Sequence, residues 1–215
     1  MKIKICCIAS LAEARLAVQH GAAAIGLVSA MPSGPGVIDE GTIRDVAAAT
    51  PPPTETFLLT ALQTAEAIAA QHARCGTSTL QLVDAVPQAE LRELRARLPG
   101  VRLVQVIHVE DERAIDEALA VEAWVDALLL DSGRPRAAVK ELGGTGRVHD
   151  WRVSARLRDA VVRPIWLAGG LRPENVAAAI EAVRPHGIDV CSGVRSAGRL
   201  DAGKLTELVQ ALKAG

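Results

Sequence analysis

Three glycine-bearing turns in the last third of this chain could together hold an anion. They are Leu142-Gly-Gly-Thr-Gly146, Leu167-Ala-Gly-Gly-Leu171 and Val190-Cys-Ser-Gly-Val194. The last two follow strand-like runs, and a helical pattern follows all three. Glycine lets backbone N–H groups approach a ligand closely, and the N-terminus of a helix favours negative charge. The turns therefore predict one phosphate group held by backbone amides, and hence a small phosphorylated substrate.

Two reactive side chains, Cys6 and Asp131, stand at the ends of strand-like runs near the two sides of the predicted site. In a closed eight-stranded barrel their strands lie three steps apart, so the groups face each other across the mouth. A thiol and a carboxyl group so placed can act as an acid–base pair. The alternatives are a buried packing role for Cys6 and a loop-capping role for Asp131.

Lys4 shares a strand face with Cys6, and a lysine inside a barrel is costly unless it is paired. Asp189, on the strand that would lie next to it when the barrel closes, is a possible partner. Lys4 is then either a structural ion-pair residue or a group that lowers the pKa of Cys6. Cys7 should point to the opposite face and pack. His108 and His149 could face the mouth, although packing and loop anchoring are alternatives.

Strand-like and helix-like patterns alternate along the chain. The predicted strands are Lys2–Cys7, Ala24–Val28, Glu55–Leu59, Thr79–Val83, Arg102–Val109, Asp126–Leu130, Pro164–Ala168 and Ile188–Cys191. The predicted helices are Ser10–His20, Asp39–Ala48, Gln63–Ala73, Pro87–Leu98, Asp111–Ala120, Asp150–Asp159, Pro173–Val183 and Ala202–Lys213. Asp150 and Asp201 are expected to cap helices, and Gly21 and Gly187 to end them.

Eight strand–helix units predict an α/β fold, a (β/α)₈ TIM barrel that forms a single domain over residues 1–215. A doubly wound open sheet is the alternative, but its glycine-rich turn normally follows the first strand. Here the glycine turns follow later strands, which favours the barrel. The long segment from Ser132 to His149 is then a βα loop over the active site.

The amino-acid composition of the chain limits the classes of partner that the protein could bind. The chain has 215 residues and a formal net charge of −1, which argues against nucleic acid or a membrane surface as the main partner. No apolar stretch is long enough to span a bilayer. The four cysteines lack metal-ligand spacing, so we expect reduced thiols, no metal, and a cytoplasmic protein.

The chain resembles the phosphoribosylanthranilate isomerase family of tryptophan biosynthesis. The matching segments span nearly the whole chain in the family's order: Lys4-Ile-Cys6, Gly21-Ala-Ala-Ala-Ile-Gly-Leu-Val28, Asp126-Ala-Leu-Leu-Leu-Asp131, Gly143-Gly-Thr-Gly146 with Asp150-Trp151, Gly169-Gly-Leu-Arg-Pro-Glu-Asn175 and Asp189-Val-Cys-Ser-Gly-Val194. The resemblance implies a barrel enzyme without cofactor or metal. For the assembly we expect a monomer or a homodimer. Its reaction is an Amadori rearrangement of an N-(5-phosphoribosyl) arylamine.

The resemblance also implies roles for individual residues. Asp131 is the general acid that protonates the ribose ring oxygen and opens it to a Schiff base. Cys6 is the general base that takes the C2 proton, giving the enolamine that becomes the ketose. The remaining substrate contacts are Lys4 and the phosphate-binding backbone of Gly144, Gly146, Gly169, Gly170, Ser192 and Gly193.

The residues that differ from the family pattern lie mainly at positions that the resemblance assigns to the aryl half of the substrate. Gly36 stands where the family has an arginine that meets the anthranilate carboxylate, and Cys7 replaces a glycine. Arg134, Arg136 or Arg195 could supply the missing charge. Three functions stay open: the family's own reaction, the same rearrangement of a different phosphoribosyl amine, and sugar-phosphate binding without catalysis.

Overall fold

The computed structural model describes residues 1–32, 34–133 and 148–214, and in them eight parallel strands close into a barrel. The strands are β1 (Lys2–Ile5), β2 (Ala24–Val28), β3 (Glu55–Thr60), β4 (Thr79–Leu82), β5 (Arg102–His108), β6 (Ala127–Asp131), β7 (Ile165–Leu167) and β8 (Gly187–Val190). The helices are α1 (Leu11–Gln19), α2 (Glu40–Ala49), α3 (Ala65–Cys75), α4 (Gln88–Arg97), α5 (Arg113–Val121), α6 (Trp151–Ala160), α7 (Val176–Val183) and α8 (Ala202–Ala214). The predicted barrel is confirmed.

Alternation along each strand divides the core into two layers. On β6, Leu128 and Leu130 belong to the apolar layer between the strands and the surrounding helices, whereas Ala127 and Leu129 point into the barrel. The same alternation turns Asp131 inward at the carboxyl end of the strand. The barrel interior is filled by side chains, as a barrel of eight strands requires.

Two aromatic side chains fill the middle of the barrel. The rings of Phe57 on β3 and Trp166 on β7 meet edge to face, with centroids 5.8 Å apart. The Lys4 ammonium group lies 5.3 Å from the centre of the Phe57 ring. The polar groups at the mouth therefore stand on a packed aromatic layer.

The prediction that Gly187 ends a helix is wrong. It begins β8, and it is Arg184, in the left-handed conformation, that caps α7. A side chain at Gly187 would meet the Trp166 ring at 2.6 Å, so close packing explains this glycine. The predicted caps are confirmed, because Asp150 accepts from the Arg152 N–H and Asp201 from the Lys204 N–H.

A short hairpin of β9 (Arg195–Ser196) and β10 (Arg199–Leu200) follows the barrel and was not predicted. It joins the turn after β8 to α8. None of the described helices combines the length and the apolar character needed to cross a bilayer.

Candidate active site at the barrel mouth

Cys6 and Lys4 lie side by side inside the barrel at the carboxyl end of β1. Both sit against Gly26 of β2, where an added Cβ would be 2.7 Å from the Cys6 Sγ and 3.0 Å from the Lys4 Nζ. Glycine at this position leaves room for the thiol and the ammonium group. A cation beside a thiol favours the thiolate, which is the form that can accept a proton.

Lys4 is fully buried, and its Nζ donates to the Asp189 Oδ2 at 2.7 Å. The predicted ion pair between β1 and β8 is confirmed. Burial acts to lower the pKa of Lys4, but the charge and hydrogen bond of Asp189, together with the neighbouring Cys6 and Cys7 thiols, raise the pKa above its ordinary value. The ammonium group therefore stays charged next to Cys6.

Asp131 occupies the mouth three strands from β1, because β7 and β8 lie between β6 and β1 in the barrel. Its Oδ1 accepts a hydrogen bond of 2.7 Å from the Ser132 N–H, which orients the carboxyl group. Burial raises the pKa of Asp131 above the ordinary aspartate value. A carboxyl group with a raised pKa keeps its proton to a higher pH, which suits it to act as a proton donor.

A cavity of about 250 Å³ opens between the turns that follow β7 and β8. Three of the predicted phosphate-binding residues line it, namely Gly170, Ser192 and Gly193. The two turns touch, because an added Cβ at Gly193 would overlap the Leu171 carbonyl oxygen and lie 2.9 Å from the Arg172 Cα. Glycine lets both backbones approach the same small volume.

Gly169 stands beside this cavity, in the left-handed conformation with φ of +87°. An added Cβ there would lie 3.0 Å from both the His149 Nδ1 and the Ser132 Oγ. His149 is anchored to the Ser154 Oγ at 2.7 Å, and burial lowers its pKa to about 4, so its ring is neutral near pH 7. The other two predicted phosphate residues, Gly144 and Gly146, lie outside the described residues.

The prediction that Cys7 points away from Cys6 is wrong. The strand ends at Ile5, and Cys7 adopts a left-handed conformation with φ of +61°. Its side chain therefore joins Cys6 in the interior cluster, where its Sγ lies 2.7 Å from the Cys191 Sγ. The prediction that Cys7 packs on the opposite face assumed a strand alternation that has already ended.

Gly36, at the position of the expected arginine, packs against Cys7. An added Cβ at Gly36 would lie 2.5 Å from the Cys7 Cβ, and the φ of Gly36 is +78°. The two departures from the family pattern thus fit one another in space. Because Cys7 has a side chain, position 36 has no room for one.

Arg195 does not supply the missing charge towards the mouth. Its guanidinium pairs with Glu13 at 3.1 Å and donates to the carbonyl oxygens of Cys6 and Cys7. Arg134 and Arg136 lie outside the described residues. Arg195 therefore holds the loop after β1 against the turn after β8.

Two residues near the site were missed or left open by sequence reasoning. Lys204, from the first turn of α8, lines the phosphate-sized cavity and donates to the Arg195 carbonyl oxygen at 2.7 Å. His108 pairs in register with Asp131, and its Nε2 lies 3.0 Å from the Val83 carbonyl oxygen. The sequence did contain a signal for Lys204, because a lysine in the first turn of a helix that follows a glycine-bearing turn can contact a bound anion.

No group of three histidine, cysteine or acidic side chains that could hold a metal ion occurs within residues 1–32, 34–133 and 148–214. The described mouth therefore offers three elements for chemistry. These are a thiol beside a buried cation, a carboxyl group with a raised pKa across the barrel, and a polar cavity between the turns after β7 and β8.

Comparison with known proteins gives one consistent result. A family model for N-(5'-phosphoribosyl)anthranilate (PRA) isomerase matches residues 3–211. The N-(5'-phosphoribosyl)anthranilate isomerase of Methanocella arvoryzae is 34% identical over 198 residues, which are 92% of this chain and 91% of the relative.

Solved structures agree with the sequence comparison. The chain is similar to phosphoribosyl anthranilate isomerase from Thermotoga maritima, with a TM-score of 0.85, 29% identity and full coverage of both chains. A second structure of such an isomerase, in complex with reduced 1-(o-carboxyphenylamino)-1-deoxyribulose 5-phosphate, aligns over both full chains with a TM-score of 0.82 and 27% identity.

Proposed function

Because this chain belongs to the N-(5'-phosphoribosyl)anthranilate isomerase family, we propose that it catalyses the family's Amadori rearrangement in tryptophan biosynthesis. The substrate is an N-(5-phosphoribosyl) arylamine, an aldose amine, and the product is the ketose amine. The observation that supports the proposal is the arrangement of Cys6, Asp131 and the cavity around the barrel mouth. Cys6 directly follows β1, Asp131 ends β6, and the cavity lies beside β7 and β8, the two strands between β6 and β1.

The first chemical step is assigned to Asp131. Its carboxyl group, whose pKa burial raises, donates a proton to the ribose ring oxygen, and the C1–O bond breaks. The nitrogen lone pair forms the Schiff base at C1. The Ser132 N–H keeps one carboxyl oxygen fixed, which leaves the other to face the substrate.

The second step is assigned to Cys6. The thiolate takes the proton from C2, and the electrons move into the Schiff base to give an enolamine, which becomes the ketose. The charged Lys4 lies against the same residue of β2, Gly26, and is placed to offset negative charge at the Cys6 sulfur. Lys4 is in this view a positioning residue that acts through Cys6.

Phosphate binding is assigned to the turns after β7 and β8. Gly170, Ser192 and Gly193 line the cavity, and Gly169 directly precedes Gly170, so their backbone amides are assigned to the phosphate. Lys204 adds a positive charge to the cavity wall. The phosphate holds the sugar, so that C1 and C2 lie between Cys6 and Asp131. Gly144 and Gly146 are assigned to the same phosphate by their family pattern.

One observation favours a second candidate, the same rearrangement of an amine without the carboxylate. Gly36 and Cys7 fill the place of the expected arginine, and Arg195 is paired with Glu13. Losing a bidentate arginine–carboxylate contact weakens binding by about 2–5 kcal/mol unless another cation replaces it. Comparing kcat/KM for the N-phosphoribosyl derivatives of anthranilate and of aniline separates the two candidates. A preference for the anthranilate derivative would reject the second.

The experiment that tests the function is turnover of freshly generated phosphoribosylanthranilate, followed by the loss of anthranilate-type fluorescence. We expect wild-type turnover, and a loss of about 10²-fold or more in kcat for Cys6→Ser and Asp131→Asn. Cys75→Ala, which removes a buried thiol of α3 away from the mouth, is the matched control and should stay active. Absent wild-type turnover, with phosphate esters still raising Tm, would overturn the isomerase proposal in favour of sugar-phosphate binding.

A further inference from the structure

Two thiols that the proposed reaction does not use meet at the edge of the active site. The Sγ atoms of Cys7 and Cys191 lie 2.7 Å apart, although the residues are 184 positions apart in sequence. Both are free cysteines. Their sulfur atoms are closer than ordinary non-bonded contact, and a disulfide requires about 2.05 Å.

The fold explains why the two thiols meet. The last paired residues of β1 and β8 are Ile5 and Val190, and the Cys6 N–H continues the ladder by donating to the Val190 carbonyl oxygen at 2.9 Å. The left-handed turn at Cys7 then brings its side chain back towards Cys191. Small shifts of the segments that follow β1 and β8 would therefore suffice to bring the two sulfur atoms to bonding distance.

The surroundings favour a reactive thiolate at Cys191. Its side chain is half-buried, so a small molecule can reach it from the mouth, whereas Cys7 is buried. The hydrogen bond with Cys7, together with the charge of Arg195, lowers the pKa of Cys191. A thiol pair with one reactive, accessible member and one buried neighbour is the arrangement of a sensor and its resolving cysteine.

We propose that Cys7 and Cys191 form a reversible disulfide on reaction with a hydroperoxide. The Cys191 thiolate attacks one oxygen of hydrogen peroxide, an S–O bond forms, the O–O bond breaks, and the departing hydroxide takes a proton to become water. The Cys7 sulfur then attacks the Cys191 sulfur. The S–S bond forms, the S–O bond breaks, and the Cys7 proton leaves with the hydroxyl as a second water. Two thiols are oxidised and one peroxide is reduced.

The disulfide would change the active site on two sides. Cys7 adjoins Cys6 in the chain and shares its interior cluster, so a cross-link there displaces the proposed base. Cys191 directly precedes Ser192 and Gly193 of the phosphate cavity. Displacements of about 1 Å at such sites can cost about 10²-fold in rate, so we expect oxidation to lower kcat/KM by at least about ten-fold.

The test treats the full-length protein with one equivalent of hydrogen peroxide, then measures intact mass and maps peptides without reduction. We expect the mass of two hydrogen atoms to be lost and a cross-linked peptide pair that contains Cys7 and Cys191. Dithiothreitol should restore the mass and the turnover. The mass readout needs no turnover, so its outcome is independent of the isomerase assignment.

Variants separate this pair from the other thiols. Cys75→Ala should cross-link as the wild type does, whereas Cys191→Ala should not lose two hydrogen atoms. A Cys6–Cys7 or Cys6–Cys191 disulfide in the wild type would overturn the proposal. So would oxygen addition without any cross-link. Since the wild-type peptide map decides these outcomes, the test holds even if Cys191→Ala folds poorly.

Discussion

Asp131 carries a carboxyl group whose pKa burial raises at the end of β6. The folded state keeps this proton to a higher pH than the unfolded chain does. Stability is therefore lost as pH rises from the unfolded pKa, about 3.9, through the folded pKa, because the folded barrel must then hold a partly buried carboxylate. The Asp131 carboxyl group, which is the proposed proton donor, therefore also lowers the stability of the fold at neutral pH.

Replacing this carboxyl group should separate activity from stability. We expect Asp131→Asn to be inactive and to have a higher Tm than the wild type at pH 7, since the amide still accepts from the Ser132 N–H without a charge. The difference should shrink as pH falls towards about 4. Thermal unfolding over this range measures it, with Asp159→Asn on the surface of α6 as the control. An equal or lower Tm at pH 7 would contradict the burial argument.

Gly36 and Cys7 should be energetically coupled, because each restricts the space of the other. We expect Gly36→Ala to cost about 1–3 kcal/mol in overpacking, in addition to about 1 kcal/mol for its left-handed backbone. In a Cys7→Gly background the overpacking cost should largely disappear. Urea unfolding of the two single variants and the double variant gives the coupling energy, expected to exceed about 0.5 kcal/mol.

Gly21→Ala is the matched control for this cycle. Its φ of +82° is close to that of Gly36, but an added Cβ would meet no atom within 4 Å. It should therefore show the backbone cost alone, with no dependence on Cys7. Additive effects of Gly36→Ala and Cys7→Gly would mean that the contact between them carries no free energy.

The turns after β7 and β8 act as one element, because Gly193 packs directly on the backbone of Leu171 and Arg172. We expect Gly193→Ala to force the turns apart and raise KM by ten-fold or more, since a hydrogen bond to a charged group is worth about 1.5–3 kcal/mol. The effect on kcat should be smaller, because the phosphate is remote from C1 and C2. Steady-state kinetics checks this, with Gly100→Ala, whose Cβ meets nothing, as control. An unchanged KM would remove these turns from the phosphate site.

Most elements could be predicted because the barrel repeats one strong signal. Buried parallel strands are short apolar runs, and capped helices separate them, so the β2 bounds Ala24–Val28 were predicted to the residue. The positions of Cys6, Asp131 and the Lys4–Asp189 pair followed from alternation and barrel closure.

Prediction failed where the periodic signal ends. Cys7 lies beyond the last paired residue of β1, so its left-handed backbone, not alternation, decides where its thiol points. Gly187 looks like a helix breaker in sequence, and its real constraint is the Trp166 ring on another strand. Contacts between distant segments, such as Cys7 with Cys191, carry no local pattern at all.

For the whole molecule, the Lys4–Asp189 pair bridges the first and last strands, where the barrel closes. Removing one member of a buried pair leaves an uncompensated charge, so Lys4→Met should lose about 3–5 kcal/mol in urea unfolding. Replacing both with apolar residues, as in Lys4→Met/Asp189→Leu, should recover most of that stability.

The double variant separates closure of the barrel from chemistry at its mouth. If Lys4 also assists proton transfer at Cys6, the double variant should be folded but slow, and the pH dependence of its kcat should differ from that of the wild type. The pH profile of kcat is therefore the deciding measurement. A stable double variant with the wild-type profile would show that Lys4 serves the fold alone, and an unstable one would show that this barrel needs the ion pair in order to close.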